Sequence, residues 1–465
     1  MNRLLQRLAP LALLSVLPLP STAAEPTSAA AIAAPADGKM AKVCATCHKS
    51  APAGSVRGWF DDVAWKSRSI QLKVDAEAVV LPFDPAALKL TNVADAGDLE
   101  KTLRSIRKGA ESYVETTGQG AARRITLLAV KPKLALPEEK QVKTAELEKL
   151  VAQGPEQGKY FLFDARPPPK YAEGFIPTAE NLPFPAFEKE KGKLPADKGA
   201  LVIFYCAGVT CAMSPAALKA SEALGYTNVK AYHEGIPVWV KTNTLALTPK
   251  LLKEAWLDKE QPVILLDARK ATKGGILPGA ASMTDGSEKS TKRLYPFRKA
   301  RPPIVVYDED GKGNAQRVAK GIVAAGQPAM VLVGGVAGWK AAGYALVERA
   351  PAKEITFVPK PKPGSLSIAE FKQLAATLPD DTVVLDVRGA DEVAAGAIKG
   401  SVNVPADQVA ARLAELPKEK RIVIHCSTGT RAEMTYNVLK GAGYTKVAFL
   451  DAPVEFEGGK ALIGD

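Results

Sequence analysis

A chain of 465 residues with 46% hydrophobic and 24% charged residues has ordinary folded-protein composition, and it is too long for one core. At roughly 150 residues per domain it predicts three or four domains. The formal charge of +12 comes from basic residues scattered among acids, with aromatics at 6%, a pattern that disfavours a nucleic-acid partner and suits small anions or an acidic redox partner protein.

In chain order, Arg3 and Arg7 precede the apolar run LAPLALLSVLPLP, and Thr22-Ala23-Ala24 offers small residues for cleavage. This predicts a secretory signal over 1–24 and a periplasmic protein; its removal lowers the charge by two, to +10. No later stretch approaches about 18 uninterrupted apolar residues, so the mature chain is not expected to span a membrane. Residues 25–38 read as a flexible Ala/Pro tether. Residues 39–137 read as a small α+β region. It has a short helix around Cys44–His48, strands at SIQLKV, AVVLPF and ITLLAV, and a helix near DLEKTLRSIRKG.

Cys44-Ala-Thr-Cys47-His48 predicts attachment of a haem c through two thioethers, with His48 as an axial iron ligand. Zinc is a rival, but it takes four ligands, and Cys206, Cys211, His233, His425 and Cys426 all lie far along the chain. A bare dithiol is the third reading. The motif is similar to that of cytochrome c, but the similarity stops there. No Met or His lies between His48 and residue 150 to supply a sixth ligand, and the strand-like runs disagree with an all-helical fold. Five cysteines, an odd number, argue against a simple disulfide framework.

From residue 140 onward one unit recurs three times. FLFDAR (Asp164, Arg166) leads to VIFYC (Cys206), ILLDAR (Asp267, Arg269) to IVVYD (Asp308), and VVLDVR (Asp386, Arg388) to IVIHC (Cys426), at offsets of 42, 41 and 40 residues. Each unit opens with a hydroxyl residue before a helical pattern: Thr144, Thr248 before Pro249, and Ser367 with Glu370 as a capping box. Strands alternating with helices predict parallel sheets covered on both faces. The units occupy 140–246, 247–348 and 366–465, with the Pro/Lys-rich 349–365 as a linker.

A cysteine at the C-terminal end of a parallel strand, before a short loop and a helix, lies where ligands of open α/β sheets bind. Backbone N–H groups converge there and favour a thiolate or an anion. In the third unit Cys426 is followed by Ser427, Thr428, Gly429 and Thr430, and Arg431 can fork onto an oxyanion. The Asp-x-Arg, the Gly turns (Gly279-Ala280, Gly400-Ser401) and the Cys-x-x-Gly-x-Arg together resemble the rhodanese family over about 320 residues. The resemblance implies five-stranded parallel sheets and a cysteine that carries sulfane sulfur from a thiosulfate-like anion to a thiophilic acceptor. By motif position it implies Cys426 as nucleophile, Arg431 as anion anchor and residues 427–430 as the cradle.

Cysteine phosphatases of the cell-cycle type share the His-Cys start, but their loop has five residues between Cys and Arg, where this chain has four. The first unit departs from the pattern: Cys211 stands where Arg431 stands in the third. That replacement allows a resolving thiol, a reversible disulfide or a structural disulfide. Tyr205 and Ser214 read as structural, with Ser214 as a helix cap. The second unit has Asp308, which cannot carry sulfur, and reads as an inactive spacer that keeps Trp339 of GGVAGW. The expected activity is sulfur transfer, with a non-catalytic electron-transfer or scaffold role as the alternative.

Overall fold

The computed structural model describes residues 38–42, 48, 50–75, 77–119, 122–272, 274–297, 300–457 and 460–464. The signal, the tether up to residue 37 and the proposed thioether cysteines Cys44 and Cys47 lie outside these residues, as does most of the helix expected around them.

The N-terminal region is built mostly of β-structure. Burial alternates along Glu77–Pro82, with Val79 and Leu81 inside, and the more fully covered strands Ser55–Ala64 and Ser69–Val74 bury Val56, Ile70 and Leu72. A seven-stranded sheet results, and an isolated bridge from Phe83 to Ile125 curls it back on itself. The three expected strands form, as does the helix at Leu99–Ser105, capped by Asp98, whose carboxylate accepts from the Lys101 amide. The long strands Ser55–Ala64 and Glu111–Thr117 were not foreseen, because their mixed composition hides the period-two pattern.

The three repeats are α/β units whose central strands are buried on both faces, which is why they read as continuous apolar runs. In the third, the parallel order is Ser365–Leu366, Val447–Leu450, Arg421–His425, Thr382–Asp386, Val402–Asn403. The second repeats this order with five strands and begins at Leu245–Leu247. The first has four strands; a single bridge from Gln141 to Ala231 stands in place of the fifth.

Packing divides the repeats unequally. One continuous core, from Leu147 and Trp239 to Ile276 and Trp339, joins the first and second units. The indole N–H of Trp256 donates to the Ala172 carbonyl across that junction (2.8 Å). Much of the expected linker lies against the second unit through Ile355 and Phe357, and Ser365 already belongs to the third sheet. The third unit has its own core and meets the N-terminal sheet instead. Asn437 on its helix Thr430–Gly441 donates to Gln71 (3.1 Å), and the Thr430 hydroxyl donates to Asp62 (3.3 Å).

Candidate functional site

Each repeat holds the same polar staple beneath its loop. The Asp side chain at the first strand's end accepts from the Arg two residues on, at 2.5, 2.7 and 2.6 Å in units one to three. The same guanidinium donates to a glycine carbonyl, Gly174, Gly275 or Gly396. These pairs are buried, and removing one partner of such a pair typically costs about 3–5 kcal/mol. The Asp-x-Arg that marks the repeats is therefore structural.

What stands on the staple differs. In the third unit Cys426 is fully buried at the end of Arg421–His425, and the Gly429 amide donates to its sulfur at 3.1 Å. Gly429 has φ 93°, and a Cβ there would press on Asp451 at 3.0 Å, so this turn requires glycine. Among the described residues, the Gly429 amide is the member of the 427–430 cradle that reaches the sulfur. Thr428 is exposed, Thr430 faces the N-terminal sheet, and the Ser427 hydroxyl accepts from Arg431 at 2.8 Å.

Arg431 is not the open anion anchor the sequence suggested. Glu392 takes both arms of its fork, at 2.6 and 2.9 Å. The Arg431 hydrogen bonds hold the Glu392 carboxyl down at about 2, against its burial. Arg431 itself is buried, which opposes its charge, but Glu392 and the neighbouring Cys426 sulfur more than offset this and raise its pKa. Sequence reasoning missed Glu392, since only its capping contact to the Gly389 amide is local. The buried His425 is pushed down to about 4 by desolvation, which the Asp386 charge only partly opposes, and its ring is neutral near pH 7.

In the second unit the strand-end Asp308 turns its carboxylate into the loop. It accepts from the amides of Gly311 (2.7 Å), Asp310 (3.3 Å) and Ala315 (2.8 Å). The cradle is filled by the protein's own anion. No such carboxylate fills the first unit, where Cys206 is buried and Cys211 is half-exposed, both as free thiols. Cys206 donates to the Cys211 carbonyl (3.5 Å), and its sulfur lies 3.1 Å from the Ser214 hydroxyl. Ser214 is thus no cap: it sits inside the helix Met213–Ala223 and touches the sulfur. Burial pushes the Cys206 thiol up, while its hydrogen bond to Cys211 brings that thiol down to about 6. The Met213 and Ala207 amides and the Lys131 charge add to the effect, so the thiolate resides on Cys211.

His48, the one described residue of the CxxCH, places Nε2 2.6 Å from Glu111 and 3.4 Å from Arg57. For iron to bind through Nε2, the ring would have to leave Glu111. Among the described residues no cluster of metal-ligating side chains forms, and no helix is long and apolar enough to cross a membrane.

The rhodanese-like domain model matches residues 144–242, 248–342 and 367–453. A sulfurtransferase of Allochromatium vinosum is 31% identical over 68 residues, covering 15% of this chain and 64% of the relative. An HTH-type transcriptional regulator of Mycobacterium tuberculosis is 28% identical over 146 residues, covering 29% and 61%. The chain thus spans less than two thirds of the length of these curated relatives. Among solved structures, a thiosulfate sulfurtransferase from Pseudomonas aeruginosa overlaps 70% of this chain and 69% of its own, at 20% identity and a TM-score of 0.21. Wild-type EanB overlaps 67% and 94% at 16% identity, also with a TM-score of 0.21. At such values neither structure bears on function.

Proposed function

The chain belongs to the rhodanese-like domain family, and from that premise we propose a sulfurtransferase that turns over through Cys426 of the third unit. The observation that carries this reading is the contrast at equivalent strand ends. Cys426 presents a thiol to the Gly429 amide beside Arg431, where Asp308 presents a fixed carboxylate.

In the proposed cycle the Cys426 thiolate attacks the outer sulfur of a thiosulfate-like donor. The donor's S–S bond breaks, its electron pair leaves with sulfite, and Cys426 becomes a persulfide. An acceptor thiolate or cyanide then takes the outer sulfur, and Cys426 returns as a thiolate. Arg431 holds the donor's anionic end once Glu392 releases the fork. In the first unit the Cys211 thiolate attacks a persulfide on Cys206, releasing hydrosulfide and leaving a disulfide that a thiol reductant must reopen. The second unit acts as a spacer.

Export through residues 1–24 and haem attachment at Cys44, Cys47 and His48 complete the proposal, and both rest on sequence motifs alone. Haem would add one-electron chemistry, and no step above depends on it. Haem c bands in the visible spectrum of the purified mature protein support attachment; a featureless spectrum removes it. A binding-only scaffold is favoured by one observation, the burial of Cys426 behind the Glu392–Arg431 pair. Initial rates separate the readings. Transfer that is lost in Cys426→Ala and retained in Cys206→Ala supports turnover at the third unit. The reverse pattern moves it to the first, and no transfer in the parent protein favours the scaffold.

A further inference from the structure

The third unit does not build the approach to its sulfur alone. A cavity of about 400 Å³ opens between segments 387–392 and 405–407 of the third unit and a turn of the N-terminal sheet, and Arg431 lines it. The Cys426 sulfur is close enough to that guanidinium to help raise its pKa, so the cavity is one side chain from the reacting atom. The N-terminal wall is Trp65, Lys66 and Arg68. Lys66 reaches across to Glu392 at 3.3 Å. Arg68 stacks its guanidinium over the Trp65 ring at 4.0 Å, and its Nη1 is buried with no hydrogen-bond partner among the described residues. A buried, unsatisfied cationic donor beside a cavity is costly unless an anion meets it.

The opposite wall is acidic. Asp391 and Asp407 are exposed carboxylates with no ion-pair partner among the described residues. Cations face acids across a space of the size that small organic ligands fill, larger than an inorganic sulfur anion needs.

We propose that this cavity binds the sulfur acceptor, and that the acceptor is a small zwitterionic thiol of amino-acid or short-peptide type. Its carboxylate meets Arg68 and Lys66, its ammonium meets Asp391 and Asp407, and its thiol points past Arg431 toward Cys426. The inference rests on the third unit being the sulfur carrier. In the transfer step the acceptor thiol gives its proton to solvent and its sulfur attacks the outer sulfur of the Cys426 persulfide. The Sγ–S bond breaks, Cys426 leaves as thiolate, and the acceptor departs as a persulfide.

Binding and transfer are measured separately on the full chain. S-methylglutathione, which cannot accept sulfur, is titrated into Cys426→Ser, and into the same protein carrying Arg68→Ala, Lys66→Ala or Asp407→Asn. The expected result is binding that weakens about tenfold with each loss of a charged contact, the size typical of a charge-assisted hydrogen bond. Steady-state KM for glutathione should rise in parallel, while KM for neutral 2-mercaptoethanol stays unchanged. Lys66 and Asp407 are exposed, so their variants guard against misfolding of Arg68→Ala. Absence of binding, or binding indifferent to all three substitutions, overturns the proposal. Charge-sensitive binding without any sulfur loading on Cys426 would uphold the cavity assignment and refute the sulfurtransferase reading instead.

Discussion

The second and third repeats have the same sheet order, the same Asp–Arg staple and the same strand-end loop, yet only one of the two presents a thiol. In the second, the Asp308 carboxylate draws two loop amides and one from the first turn of the following helix onto itself; in the third, the Gly429 amide points at Cys426. The anion cradle is thus a property of the fold, produced wherever a loop and helix start follow a parallel strand. Chemistry is a property of the residue placed in it.

The largest test of this contrast is Cys426→Ala, which is expected to reduce sulfur transfer to background in a cyanide or thiol assay. Asp308→Cys should not create a second active unit. It supplies a thiol, but Gly313 stands where Arg431 stands in the third copy, so nothing anchors an anionic donor. Glu392→Gln probes the closed fork. With the competing carboxylate removed and a hydrogen-bonding amide retained, KM for an anionic donor should fall by about tenfold, near 1.4 kcal/mol. An unchanged KM would mean that Glu392 does not compete with substrate.

Asp308→Ala tests the filled cradle by stability. It strips the loop amides of their acceptor and should cost about 1–3 kcal/mol, read as a lower thermal midpoint, without affecting sulfur transfer. The smallest effect concerns acid. His425 is held neutral by burial at about 4, so between pH 6.5 and 4 the unfolded chain binds the extra proton. Stability should therefore fall as pH drops through that window. In the second unit Tyr307 occupies the matching position and donates to Asp267 at 3.0 Å, so His425→Tyr should flatten the acid limb. The first unit extends the comparison. Cys211 should alkylate with a midpoint near pH 6, more reactive as pH rises through it, while Cys206, whose thiol burial pushes up, alkylates more slowly.

The repeats were legible in sequence because a buried parallel strand must be apolar throughout and must end on a polar staple. The offsets located Cys206, Asp308 and Cys426 without coordinates. What the sequence concealed is contact between distant segments. Glu392 lies 39 residues from Arg431, and Asp62 lies 368 from Thr430. Lys66 and Arg68 belong to a region that shares no pattern with the repeats. Ser214 looked like a cap because a hydroxyl near a helix start usually is one; the sulfur beside it is a consequence of how the loop folds back.

The central claim is that sulfur chemistry resides in the third unit. Peptide-resolved mass spectrometry of the full chain after exposure to thiosulfate tests it directly. The account predicts the mass of one extra sulfur on the peptide bearing Cys426, removed when a thiol acceptor is added. An extra sulfur on Cys206 or Cys211, with Cys426 a plain thiol under turnover, would contradict it.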